Sequence, residues 1–275
     1  HEGTWLYCDS AIHNHHLNTI EAFGNVHIND RDSVHTYSQY LLYYVNTKIA
    51  ILKKQVKLTD GKTTLHTEEL KYDLNQRLGE YHNGGKVLNA QSVLTSQEGY
   101  YYADLKDVYF KKDVRLKDPK YNLRTDSLLY NTITEQANFI GPTYIEDSAK
   151  RTIETNEGYY DLRNGKAYFG RRPIIRDGAV KIIANTVETD DSTGISRLRG
   201  NAVFVDSAQG VSVLANYIET NNKDQSFLAY QQPLMILRQD NDSIYIAADT
   251  LASGRLSALL QADSAALLAD STATA

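Results

Sequence analysis

Gly24-Asn25-Val26-His27-Ile28-Asn29-Asp30, then Lys54-Gln55-Val56-Lys57-Leu58-Thr59-Asp60, then Lys112-Asp113-Val114-Arg115-Leu116-Lys117-Asp118: one short pattern keeps returning along the chain. Residues 141–147, 171–177 and 200–206 repeat it, and Asn89 closes a further copy after Lys86-Val87-Leu88. The closing residues are 30, 60, 89, 118, 147, 177 and 206, so the successive intervals are 30, 29, 29, 29, 30 and 29. Apolar and polar residues alternate within each copy, and in a strand that alternation sends neighbouring side chains to opposite faces. The residue two places before the close is apolar every time: Ile28, Leu58, Val87, Leu116, Ile145, Ile175 and Phe204. These are the expected interior positions.

A second motif runs in step with the first. Leu65-His66-Thr67-Glu68-Glu69-Leu70-Lys71-Tyr72-Asp73 and Leu123-Arg124-Thr125-Asp126-Ser127-Leu128-Leu129-Tyr130-Asn131 share a pattern of apolar, any, small, polar, any, apolar, any, Tyr, Asp/Asn. Ile153-Glu154-Thr155 begins another copy, Ala184-Asn185 and Ala215-Asn216 fill the small-polar pair later, and Cys8-Asp9 fills it near the start. Two motifs on one period place the repeat over about residues 5–252. A unit of this length holds a few strands and cannot bury its apolar face alone, so neighbours must stack. The fold class expected is all-β, with no helix through the repeat. The chain is expected to form one domain over residues 1–255, followed by an Ala-, Ser- and Leu-rich tail over 256–275.

Composition agrees. Tyr occurs 20 times against 6 Phe and 1 Trp, and Tyr suits a half-buried pleated surface. The net charge of −5 gives no overall support to a nucleic-acid binder, which needs a basic face. No apolar run is long enough for a membrane-spanning helix. The chain begins at His1 and its one Met is Met235, so it reads as a processed or excised segment whose signal peptide is out of view.

Chemistry-bearing candidates are few. His13, His15 and His16 crowd one segment, but their spacing matches no defined ligand set. Cys8 occupies the slot held elsewhere by Thr67, Thr125, Thr155, Ala184 and Ala215, a slot that asks for a small residue rather than a nucleophile. The closing Asp residues lack the Gly-rich nonapeptides of calcium-binding rolls and are expected to satisfy turn amides. The series Tyr43, Tyr72, Tyr102, Tyr130 and Tyr160 reads as cross-strand packing. No hydrolase elbow, P-loop or dinucleotide fingerprint is present. No catalytic residue, metal site or cofactor is assigned, and the chain is read as a non-enzyme.

The alternation of Gly24-Asn25-Val26 and Gly200-Asn201-Ala202-Val203 with Thr125-Asp126-Ser127-Leu128-Leu129-Tyr130 and Ala248-Asp249-Thr250-Leu251 resembles the OstA-like family of lipopolysaccharide carriers. That family includes LptA, LptC and the N-terminal domain of LptD in Gram-negative bacteria. The resemblance spans nearly the whole chain apart from the tail, although several copies lose the Gly-Asn pair. It implies an open β-jellyroll, in which two antiparallel sheets meet as a V and hold acyl chains between them. It further implies a periplasmic location, a place in a bridge from inner to outer membrane, and lipopolysaccharide or a related lipid as ligand. The implied partners are other OstA-like transport proteins paired end to end through edge strands, with a homo-oligomer also open and no nucleic acid.

The groove-lining residues expected on this reading are Val26, Ile28, Val56, Leu58, Val87, Val114, Leu116, Ile145, Ile175 and Phe204. A basic strip of Lys53, Lys54, Lys111, Lys112, Arg171 and Arg172 is expected to contact lipid phosphates. Its offsets from the closing Asp are nearly constant, with Arg171-Arg172 one place later and Arg199 in register with Lys53 and Lys111. The competing reading of the strip is a solvated edge that discourages strand pairing. The competing readings of the whole chain are a ligand-free structural or adhesive β-solenoid and a glycan-binding or glycan-cleaving β-helix.

Overall fold

The structure is a computed structural model and describes residues 4–30, 34–239 and 242–254. The tail over 256–275 therefore lies outside the described residues. Among the described residues there are strands and turns and no helix, and every strand pairing is antiparallel. Among the described residues no helix is long and apolar enough to cross a membrane. The chain divides into two compact units, His1–Ala149 and Lys150–Ala275.

The repeat makes hairpins, and each hairpin bends in the middle. In the strand Ile49–Thr59 the bend falls at Lys54 and Gln55, both left-handed, with φ of 65° and 55°. Gly24 and Asn25, Lys112 and Asp113, Arg171 and Arg172, and Gly200 and Asn201 adopt the same paired conformation. Each pair stands six and five places before its closing Asp. Across the Lys54–Gln55 bend the register jumps from Tyr40↔Lys53 to Tyr37↔Lys57, so two residues oppose fewer on the partner strand. Such a bulge bends a strand and raises its local twist. One half of each strand therefore enters one layer and the other half a second layer. At some bends the strand is interrupted, as between Leu78–Tyr81 and Gly85–Asn89, or between Lys166–Gly170 and Ile174–Asp177.

The partner strands turn the same corner at the small residue of the second motif. Ser38, Thr67, Ser96, Thr125 and Thr155 are buried there. Each donates its hydroxyl to the backbone carbonyl two residues on: Tyr40, Glu69, Glu98, Ser127 and Glu157, at 2.8–3.3 Å. Thr67 and Thr155 reach a second carbonyl, of Gly84 and Gly170, at 2.8 and 3.0 Å. The bend takes carbonyls out of the regular ladder, and a buried carbonyl without a donor is costly. A short hydroxyl side chain supplies the donor without filling the corner.

In the N-terminal unit the layers meet in one core. Ala22, Leu41, Ala50, Leu52 and Leu70 come from the halves that end in long turns, and Val26 and Val56 from the halves that end at the closing Asp. Above this core, Tyr43, Tyr72, Tyr101 and Tyr130 alternate with Ala50, Gly79, Val108 and Ala137 as direct cross-strand partners. The large-small alternation lets each ring lie over its neighbour. Tyr101 holds the place in this row that the spacing gave to Tyr102, which points outward and is 37% exposed. Glu98-Gly99-Tyr100-Tyr101-Tyr102 offers three consecutive tyrosines, and only the strand register selects among them.

The Lys150–Ala275 unit is built alike. Phe169, Val187, Leu198, Ile218 and Ala229 form a buried row of direct partners through its long-turn layer. Both kinds of turn are closed by Asp or Asn. Asp60 accepts from the amides of Lys62 and Thr63 at 2.9 and 2.7 Å, and Asp206 from those of Ala208 and Gln209 at 3.0 and 3.2 Å. At the long turns Asp73 and Asn131 do the same.

Candidate functional site

The expected groove residues fall on one interior row in each unit. In His1–Ala149, direct partners run Leu6, Ile28, Thr36, Leu58, Leu65, Val87, and on through Leu94, Leu116, Leu123 and Ile145. In Lys150–Ala275 they run Ile153, Ile175, Ile182, Phe204, Val213, Met235 and Ile246. Val26, Val56 and Val114 lie one step nearer the bend on the same face.

Burial falls away from the bend. Val26, Val56 and Val114 are at most 1% exposed, whereas Ile28, Leu58 and Leu116, two residues on, are only half-buried. On the facing layer Leu41 and Leu70 are buried, while Tyr43 and Tyr72 beyond them are half-buried. Val87 and Phe204 are half-buried too, but Ile145 and Ile175 remain buried. The interior is thus sealed at the bend; toward the rim Ile28, Leu58, Leu65, Val87, Leu116 and Phe204 are half-open, while Thr36, Leu94, Leu123, Ile153 and Val213 on the same rows stay buried. Phe204 meets Phe227 across this space, with ring centroids 5.5 Å apart.

The rim is acidic and phenolic. Burial pushes the Tyr101 phenol up, and Asp60, at the rim of the opposite layer, adds to the shift. Burial likewise raises Tyr121, with help from Asp118.

The expected phosphate contacts lie at the bend. Lys54, Lys112, Arg171 and Arg172 are themselves bend residues, and Lys53 and Lys111 immediately precede them. Lys53 pairs with Glu69 at 3.1 Å, Lys112 with Glu98 at 2.6 Å, and Arg171 with Glu157 at 2.7 Å. Each of those carboxylates stands two residues past a corner hydroxyl of the second motif. Lys111 lies over the rings of Tyr100 and Tyr109, at 5.2 and 4.5 Å from their centroids. Arg172 donates to the side-chain oxygen of Asn185 at 3.3 Å.

Cys8 fills its corner slot half-buried, against the core of the N-terminal unit. His13 and His15 meet in an exposed hairpin with their rings tilted 57° to one another, 4.2 Å between centroids. One pair escaped the sequence reading: the Nε2 of His27 and the Nδ1 of His35 are 3.1 Å apart, brought together by the hairpin that joins their strands. The end strands are apolar and exposed. Trp5 and Tyr7 in Thr4–Tyr7 are more than half exposed, as is Tyr245 in Asp242–Ala247, and each of these strands pairs on one side among the described residues.

These features define a class: a repeat-built, two-layer antiparallel β protein with an apolar interior open toward its rim. Residues 1–126 match the family model described as OstA-like protein. Among solved structures, the chain is similar to that titled as the crystal structure of LptH, the LptA-homologous periplasmic component of the conserved lipopolysaccharide transport device from Pseudomonas aeruginosa. The two share 12% identity over 50% of this chain and 81% of that one, with a TM-score of 0.33. No curated protein matches the chain.

Proposed function

We propose that this protein is a non-enzymatic lipid carrier of the periplasm. It takes part in lipopolysaccharide transport, holding the acyl chains of lipopolysaccharide or a related lipid between its two layers. The observation that carries the reading is the burial gradient from Val56 and Val114 to Leu58 and Leu116. Half-open apolar walls in water are unfavourable, and a bound acyl chain removes that exposure at about 25 cal/mol per Å² covered. The repeat over residues 1–255 acts as one carrier domain. Its exposed end strands, Thr4–Tyr7 and Asp242–Ala247, pair with further OstA-like proteins or with copies of itself to extend a bridge between membranes. A dry scaffold is the second reading, and burial of Ile145 and Ile175 favours it locally.

Native mass spectrometry of protein purified from cells that make lipopolysaccharide decides between them. The carrier reading expects lipid adducts that disappear in Leu58→Asp. Lipid-free protein throughout leaves the scaffold.

A further inference from the structure

The outward face of the closing-Asp layer in the N-terminal unit has a character of its own. Its central row begins with Tyr7, His27 and Tyr37 and continues with Lys57, His66 and Lys86, each the direct partner of the one before. After Thr95 the row reaches Arg115, Arg124 and Tyr144, again in unbroken register. No carboxylate interrupts it. Glu68, Asp113 and Asp126 lie two places nearer the bend on the same strands, and Glu146 two places further out than Tyr144. Arg115 engages Asp113 at 2.9 Å. On a chain of net charge −5 this row gathers four cations, Lys57, Lys86, Arg115 and Arg124, of which Arg115 is held by Asp113.

We propose that this row binds a linear anionic polysaccharide running across the strands. This goes beyond the lipid reading, because the row is on the opposite face from the apolar interior. Adjacent strands are about 4.8 Å apart, so a chain lying across them meets a fresh side chain at each step. Sheets twist by roughly 20° per strand, so such a row is a curved track. A flexible chain follows a curved track, and a flat membrane touches only part of it. The aromatic rings argue against single-stranded nucleic acid, which needs free ring faces for its bases to stack on. Here Tyr37 has one face against His27, 4.5 Å and 6° from parallel, and Lys57 lies 5.6 Å from its ring centroid. Tyr7 stacks on His27 at 5.6 Å. The cationic side chains and phenolic hydroxyls of the row suit sugars bearing sulfate, phosphate or carboxylate groups.

The test uses the full chain and a size-fractionated heparin oligosaccharide as probe, with calorimetric titration at about 50 and 200 mM salt. Wild type is expected to bind, and to weaken about tenfold or more at the higher salt. The variant Lys57→Glu/Lys86→Glu/Arg115→Glu/Arg124→Glu is expected to lose binding, and its milder Gln counterpart to weaken it. A control with Lys48, Lys106 and Lys120 changed to Glu in the turns is expected to bind as wild type. Equal affinity of wild type and the Gln variant overturns the proposal, as does equal affinity for neutral dextran. Tighter binding of single-stranded DNA or of phosphatidylglycerol vesicles through the same four residues overturns it also.

Discussion

The hydroxyls of Tyr81 and Ser96 lie 2.7 Å apart inside the N-terminal unit, and the Tyr81 ring fills the space over Gly85 and Gly99. Ser96 is a corner residue, and Gly99 stands three places later, where Leu70 and Leu128 stand in their own repeats. A large ring on one strand has thus displaced the apolar side chain of the next. A Cβ added at Gly99 would overlap the Tyr81 ring. Gly99→Ala is therefore expected to destabilise the protein by about 1–3 kcal/mol, the range of overpacked cores. In a Tyr81→Ala background the same change is expected to cost little. Urea denaturation of the four proteins of this cycle measures the coupling.

The same tyrosine sets an alkaline limit. Burial raises its phenol from 10.0 to about 12, partly countered by the hydrogen bond to Ser96. The folded-state value lies above the unfolded one, so the stabilisation is complete below pH 10 and is lost as pH climbs from 10 to about 12. A two-unit shift is worth about 2–3 kcal/mol. Tyr81→Phe is expected to flatten part of the fall in stability across that window, measured as urea midpoints at successive pH values. An unchanged slope would assign the fall to Tyr40 and Tyr217, also raised to about 12.

The strands, their period and the interior positions were legible because two motifs kept one phase, and Leu58, Leu116 and Ile145 share a row as that phase requires. The corners were half legible. Gly24-Asn25 and Gly200-Asn201 carry residues that favour left-handed backbone, but Lys54-Gln55 and Arg171-Arg172 adopt it with no such cue. The cations there looked like a strip, and their ion partners Glu69, Glu98 and Glu157 were invisible without strand register. Register also hid the outward row from Lys57 to Arg124, whose members are remote in sequence.

The corner hydroxyls supply the next test. Thr67 and Thr155 each serve two carbonyls, so Thr→Val at either keeps the shape and strands those acceptors. The expected cost is about 1–3 kcal/mol. Thr67→Ser is expected to be milder, since Ser38 and Ser96 do the same work elsewhere. Shifts in urea midpoint at constant slope check both.

The bend cations can be separated from a phosphate site by charge removal. Lys53, Lys112 and Arg171 already hold carboxylates. With Lys53, Lys54, Lys111, Lys112, Arg171 and Arg172 all changed to Gln, the folded state is expected to lose up to a few kcal/mol while capture of a phosphorylated lipid persists. Exposed pairs contribute about 0–1 kcal/mol each, which bounds the loss. Capture that falls with the variant, and in wild type with added salt, would instead identify these residues as phosphate contacts.

Val114 and Leu116 point to the same side of one strand, yet Val114 is 0% exposed and Leu116 is half-buried. A charge at Val114 has no route to water, so Val114→Asp is expected to leave the N-terminal unit unfolded, a loss of several kcal/mol. At Leu116 the carboxylate can turn toward the rim, and part of the lost burial was never complete. Leu116→Asp is therefore expected to fold with a lowered melting temperature. If the half-open wall is where acyl chains lie, that folded variant has lost apolar contact on the path of the ligand. Its lipid adducts in native mass spectra are expected to drop while its circular dichroism stays that of a β protein. A Leu116→Asp protein that keeps its full lipid complement would move the acyl chains off this wall, and one that melts like wild type would mean that Leu116 does not face the interior.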